Sequence, residues 1–190
     1  MSVSLLDLWM PIMLGGALAW IASGLIHMVL KYHNSDYGKL ANEDDVAASL
    51  RAGSVETGFY SLPHCADMKE MNDESMKKRF EDGPVAFIAI FPKGMPPMGK
   101  LLGQQIAYFF ISGAMIAYVA SLALAPGADY MTVFRVVATV GFLAFFWSNI
   151  PLSIWYGHPW STTFKYLVDA LIYAVIMAGV FSWLWPGQMT

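Results

Sequence analysis

The chain has 190 residues, 57% of them hydrophobic and only 13% charged, against about 25% charged for an ordinary soluble domain, which excludes a water-soluble globule as the whole molecule. A net charge of -3 supplies no basic face for nucleic acid. The single cysteine, Cys65, excludes an intramolecular disulfide and any zinc site built on a cysteine pair.

A helix needs roughly 20 mainly apolar residues to cross a bilayer. The first such run covers residues 8–30. No Lys or Arg precedes it, and Asp7 is the only charge ahead of it, so it reads as an uncleaved span rather than a secretory leader with a basic n-region. His27 is the only histidine within a span. With small Ser23 one turn earlier, it could present an imidazole to a haem or chlorin as an axial ligand.

Residues 32–101 carry most of the charge. Eight of the eleven basic residues (Lys39, Arg51, Lys69, Lys77, Lys78, Arg79, Lys93 and Lys100) lie there, and this concentration of Lys and Arg on one side assigns the segment to the cytoplasm, with both termini outside. Asn42 followed by Glu43, Asp44 and Asp45 predicts a short helix stopped at Gly53. A second helix is predicted over residues 66–80, with Asp73–Lys77 and Glu74–Lys78 pairs. His64, Cys65, Met68 and Met71 gather nitrogen and soft sulfur ligands of the kind that suits copper. The run Val85, Ala86, Phe87, Ile88, Ala89, Ile90 and Phe91 is too short to span and rich in strand formers. It reads as a strand whose apolar side chains, Val85, Phe87, Ile88, Ile90 and Phe91 among them, are buried against the segment itself, the bilayer or a partner.

Three further spans are predicted over residues 102–124, 130–155 and 164–185. A turn at residues 126–129 and a second at His158-Pro159-Trp160 make them antiparallel neighbours, with Ser161 as the expected N-cap of the last. Helical regularity is expected to fail at Asn149-Ile150-Pro151. Trp183 and Trp185 are expected at the outer headgroup level, where amphipathic rings collect. Small residues recur every fourth position at Gly15/Ala19/Ser23, Gly113/Ala117/Ser121 and Ala170/Ala174/Ala178, a spacing that lets helix backbones approach closely.

An acid two turns inside a span needs a partner. Asp169 is such an acid, and Lys165 lies one turn earlier on its face. Asn149 falls at a similar depth, while Arg135 belongs to the opposite side and can snorkel outward. These four form the expected intramembrane polar set, either as a structural Asp169–Lys165 pair or as an ion pathway.

The expected fold is therefore an all-α membrane protein. It has an N-terminal span (1–31), a cytoplasmic segment of two short helices and a strand (32–101) and a three-helix bundle (102–186), placed in a bacterial plasma membrane. No phosphate loop, zinc-protease helix or nucleophile elbow is present. The expected role is thus a non-catalytic subunit that stabilises or tethers other membrane proteins, with a haem, chlorin or copper carrier and an Asp169-based transporter as the alternatives.

Overall fold

The computed structural model describes residues 3–187. In it the chain forms α1 (Trp9–Gly24), α2 (Glu43–Ala52), β1 (Gly58–Leu62), α3 (Glu74–Asp82), β2 (Ala86–Ile90), α4 (Met98–Ala123), α5 (Tyr130–Phe146), α6 (Ile150–Trp155) and α7 (Trp160–Trp183). Among the described residues four stretches are long and apolar enough to cross a membrane: Trp9–Leu30, Met98–Ala123, Tyr130–Trp155 and Trp160–Trp183, of 22, 26, 26 and 24 residues. The chain divides into two compact units. One comprises the chain up to Tyr37, Pro97–Ile154 and the chain from His158 on; the other comprises Gly38–Pro96 with Trp155–Gly157.

In the first unit α1 packs on α4 and α7, and α5 packs on α4 and α7, so the four helices run in the order α1, α4, α5, α7 around a common core. The small-residue lines face inward. Gly15, Ala19, Ser23, Gly113, Ala117, Ala170, Ala174 and Ala178 are all buried, because a larger side chain would hold the backbones apart. At Gly15 a Cβ would stand 2.9 Å from Met177 Sδ. Pro11 falls in the first turn of α1, where its missing N–H leaves no helical bond unmade.

The turn between α4 and α5 is closed from the far end of the chain. Gly127 N–H donates to Pro186 O at 2.8 Å, and Trp185 Nε1–H donates to Ala125 O at 3.0 Å. Trp185 is accordingly buried, whereas Trp183 stays 65% exposed. Span three changes geometry where proline requires it. A 3-10 turn at Trp147–Asn149 separates α5 from α6. The last span starts at Trp160 behind Pro159, without the side-chain cap expected from Ser161.

Asp129 caps α5. Its carboxylate accepts from the Thr132 hydroxyl at 2.5 Å and the Thr132 N–H at 3.1 Å, and those bonds hold its carboxyl below the usual range. A depressed folded pKa contributes stability above the unfolded value and loses it as pH falls through the folded value. Asp129→Ala is therefore expected to lower the melting temperature at neutral pH and flatten its decline in acid. Asp129→Asn should preserve the cap at neutral pH while also flattening the acid decline. Melting curves of Asp129→Ala identical to the parent at both pH values would rule this cap out as a contributor.

In the second unit β1 and β2 pair antiparallel, from Gly58 opposite Ile90 to Leu62 opposite Ala86. Phe59 and Phe87 stack with centroids 5.6 Å apart, and Tyr156 tilts against both. The predicted strand thus finds its partner in β1. The helix expected over residues 66–80 is broken into a turn at Glu70–Asn72 and α3 at Glu74–Asp82. Asp67 accepts from the Lys69 and Glu70 N–H groups and so binds the backbone into a tight turn. Lys77 pairs with Glu74 rather than Asp73.

Candidate functional site

Span one does not end as a regular α-helix. After Gly24 the chain widens into a π-helical stretch, Leu25–Leu30, then passes through Lys31 in the left-handed conformation (φ 53°) into a 3-10 turn at Tyr32–Asp36. Six residues along a regular α-helix would point two side chains away from each other. Here the wide turn and the left-handed residue fold the chain back, and the His27 and His33 rings stack with centroids 4.8 Å apart and planes 1° from parallel. Short π stretches of this kind occur often at functional sites.

Lys165 and Asp169 lie one turn apart on α7, as their spacing predicts, but they do not pair with each other. Lys165 Nζ donates to Asp36 Oδ1 at 2.5 Å, Ser35 Oγ at 2.8 Å and Tyr32 O at 2.9 Å. Asp169 accepts from the Tyr32 hydroxyl, and His33 Nε2 lies 2.9 Å from its other carboxylate oxygen. The other nitrogen of His33, Nδ1, donates to Asp36 Oδ2 at 2.7 Å. The spacing identifies the correct face of α7; the turn after span one supplies both partners.

This cluster is well enclosed. His33 and Asp169 are 7% and 3% exposed, with the His33 ring also held between Tyr32 and Tyr166. Burial works against ionisation of Asp36, but the hydrogen bonds from Lys165 and His33 outweigh it and hold the carboxyl below its ordinary range. Asp36 and Lys165 are thus a charged pair beside the histidine. His27 is the accessible member. Its Nδ1–H donates to Ser23 O at 3.0 Å, which leaves Nε2 with a lone pair.

One donor atom from each of His27, His33 and Asp169 lies within 4.8 Å of the others. Among the described residues no other set of three His, Cys, Asp or Glu side chains converges in this way. Beside it opens a cavity of about 200 Å³, lined by Ser23, His27, Tyr108, Asn149, Asp169 and Tyr173 among others. Asn149 is therefore brought to the site, although its amide donates to the Phe145 and Phe146 carbonyls of its own helix. Arg135 is exposed in the second turn of α5 and does not line the cavity.

The other residues singled out from the sequence lie in the second unit. His64 Nδ1 is within 3.2 Å of Ser61 Oγ, and the Cys65 thiol donates to Asp67 O at 3.0 Å. Met68 and Met71 are exposed. Of the strand residues, Ile88 and Ile90 are half-buried, Phe87 stacks on Phe59, and Val85 and Phe91 are 61% and 82% exposed.

Sequence reasoning missed Tyr32, His33 and Asp36 because they lie just past the apolar run and look like its solvated border. A usable signal was present: His33 and Asp36 are spaced for contact within one turn, and span four carries an acid and a base that both need partners. Compared with known protein families, curated proteins and solved structures, the chain matches none, so the chemistry of this cluster carries the functional argument.

Proposed function

We propose that this integral membrane protein binds a cation at the His27, His33 and Asp169 cluster, as a carrier or transport protein rather than a passive structural subunit. The observation that carries this reading is the charge balance. With both histidines neutral, the carboxylates of Asp36 and Asp169 outnumber the one lysine, and His33 faces a carboxylate at each ring nitrogen. Carboxylates only accept, so a proton or metal ion must lie between His33 Nε2 and Asp169. The expectation of a non-catalytic subunit rested on the lack of a convergent polar site; the distances in this cluster argue for the ion-handling alternative.

In a bacterial plasma membrane, the expected location, the positive-inside pattern puts the Lys31 to Lys100 side of the bundle in the cytoplasm, with both termini outside. The cluster then lies near the cytoplasmic ends of spans one and four. Purified protein in mild detergent, screened for thermal stabilisation by sodium, potassium, magnesium, calcium and first-row transition metal salts, tests the reading. At least one cation is expected to raise the melting temperature, and Asp169→Asn to remove that rise. Indifference to every cation counts against cation binding. A visible absorption band in the same preparation would instead favour a haem or chlorin on His27.

A second reading, docking to other membrane proteins, draws on the exposed Val85 and Phe91 that flank β2. It expects Val85→Ser with Phe91→Ser to release co-purifying subunits after gentle extraction, and it fails if the parent emerges alone.

A further inference from the structure

We propose that the cation is a divalent first-row transition metal of the zinc, cobalt and iron class, bound by the Nε2 atoms of His27 and His33 and by the Asp169 carboxylate. The proposal rests on the cation-binding reading and names its ligand class.

Three features support it. The first is the donor set: two imidazoles and one carboxylate suit borderline divalent ions, whereas magnesium and calcium prefer oxygen alone and copper(I) prefers sulfur. The second is the outer partners. Metal-bound histidines almost always give their other N–H to a carbonyl or carboxylate, and here His27 Nδ1 donates to Ser23 O while His33 Nδ1 donates to Asp36. Asp169 is in turn hydrogen-bonded by Tyr32. Each proposed ligand thus has an outer hydrogen-bond partner of the kind that metal ligands carry.

The third is spacing. Ligands with bonds of about 2.1 Å to one ion lie roughly 2.9 to 3.4 Å apart in octahedral or tetrahedral arrangement, and His33 Nε2 and Asp169 Oδ2 are separated by 2.9 Å. His27 has farther to come. It is exposed and sits on the π-helical end of span one, so it is the ligand free to close on the ion. The adjoining cavity of about 200 Å³ leaves room for further coordination by water or a small molecule, as in sites that exchange or act rather than purely structural ones.

Cobalt(II) is a suitable probe because its visible bands report coordination. Full-length protein, stripped with a chelator in mild detergent, is titrated with cobalt(II) and then challenged with zinc(II). The expected result is one equivalent of bound cobalt with visible bands, displaced by zinc. His27→Gln, a change at an exposed position that should preserve the fold, is expected to weaken binding at least tenfold. Asp169→Asn should do the same, and Asp36→Asn should weaken it 10- to 100-fold through the orientation of His33. His64→Ala with Cys65→Ser should leave binding unchanged.

Cobalt binding that is absent, unaffected by His27→Gln and Asp169→Asn, or abolished by the His64 and Cys65 changes would overturn the assignment. If sodium, potassium or magnesium stabilises the protein through Asp169 and cobalt does not bind, the metal class fails and the cation site stands. If no cation has any effect, both fail.

Discussion

Lys165→Met is expected to destabilise the detergent-solubilised protein by about 3 kcal/mol, the lower end of the cost of leaving a buried charge unpaired. Lys165 Nζ makes three hydrogen bonds to the turn after span one, and the Asp36 side chain it serves is only 6% exposed. Without the ammonium, Asp36 loses its paired cation and the Tyr32 carbonyl its charged donor. Asp36→Asn in the same chain removes the stranded charge, so the double variant should recover more than half of the loss. Equilibrium unfolding of parent, both single variants and the double variant gives the coupling directly. Additive losses would mean that the pair contributes nothing of its own.

Gly141→Leu is expected to cost at least about 3 kcal/mol, at the upper end for overpacked cores, or to abolish folding. Gly141 lies where three helices meet. A Cβ there would stand 3.3 Å from Ala174 Cα, 3.4 Å from Ala174 Cβ and 3.6 Å from Ile116 Cδ1, and the first of these neighbours is backbone that cannot turn aside. Gly141→Ala asks for a shift of a few tenths of an ångström and should be mild. Gly179 supplies the control, since its Cβ would meet nothing within 4 Å. Equal melting temperatures for Gly141→Leu and Gly179→Leu would show that α5 and α7 do not need their close approach.

The spans were legible because a bilayer sets a minimum apolar length, and all four runs meet it. The packing faces were legible too, since a four-residue period of small side chains has a direct steric meaning. The pairing at the site was not. Spacing along α7 placed Lys165 and Asp169 on one face, and their separation suggested that each was the other's partner. The true partners lie more than 130 residues earlier for Asp169 and 129 for Lys165 to Asp36, reached through a π-helical stretch and a left-handed lysine that no apolar period predicts. The hairpin was half legible: an uninterrupted apolar run marked β2, whereas β1, Gly58–Leu62, is short and mixes Phe59 and Tyr60 with Gly58 and Ser61.

The two ends of the bundle are fastened by different chemistry. At the end where α7 runs out, Trp185 and Pro186 bind the α4–α5 turn through neutral hydrogen bonds. At the end where α7 begins, Lys165, Asp36, His33 and Asp169 hold it to span one by charge. Acid acts on the second fastening, whose carboxylates it protonates, and hardly on the first. The bundle therefore has one end whose fastening is indifferent to pH and one whose fastening acid can loosen, a polarity along its axis that an equally packed but uncharged bundle would lack.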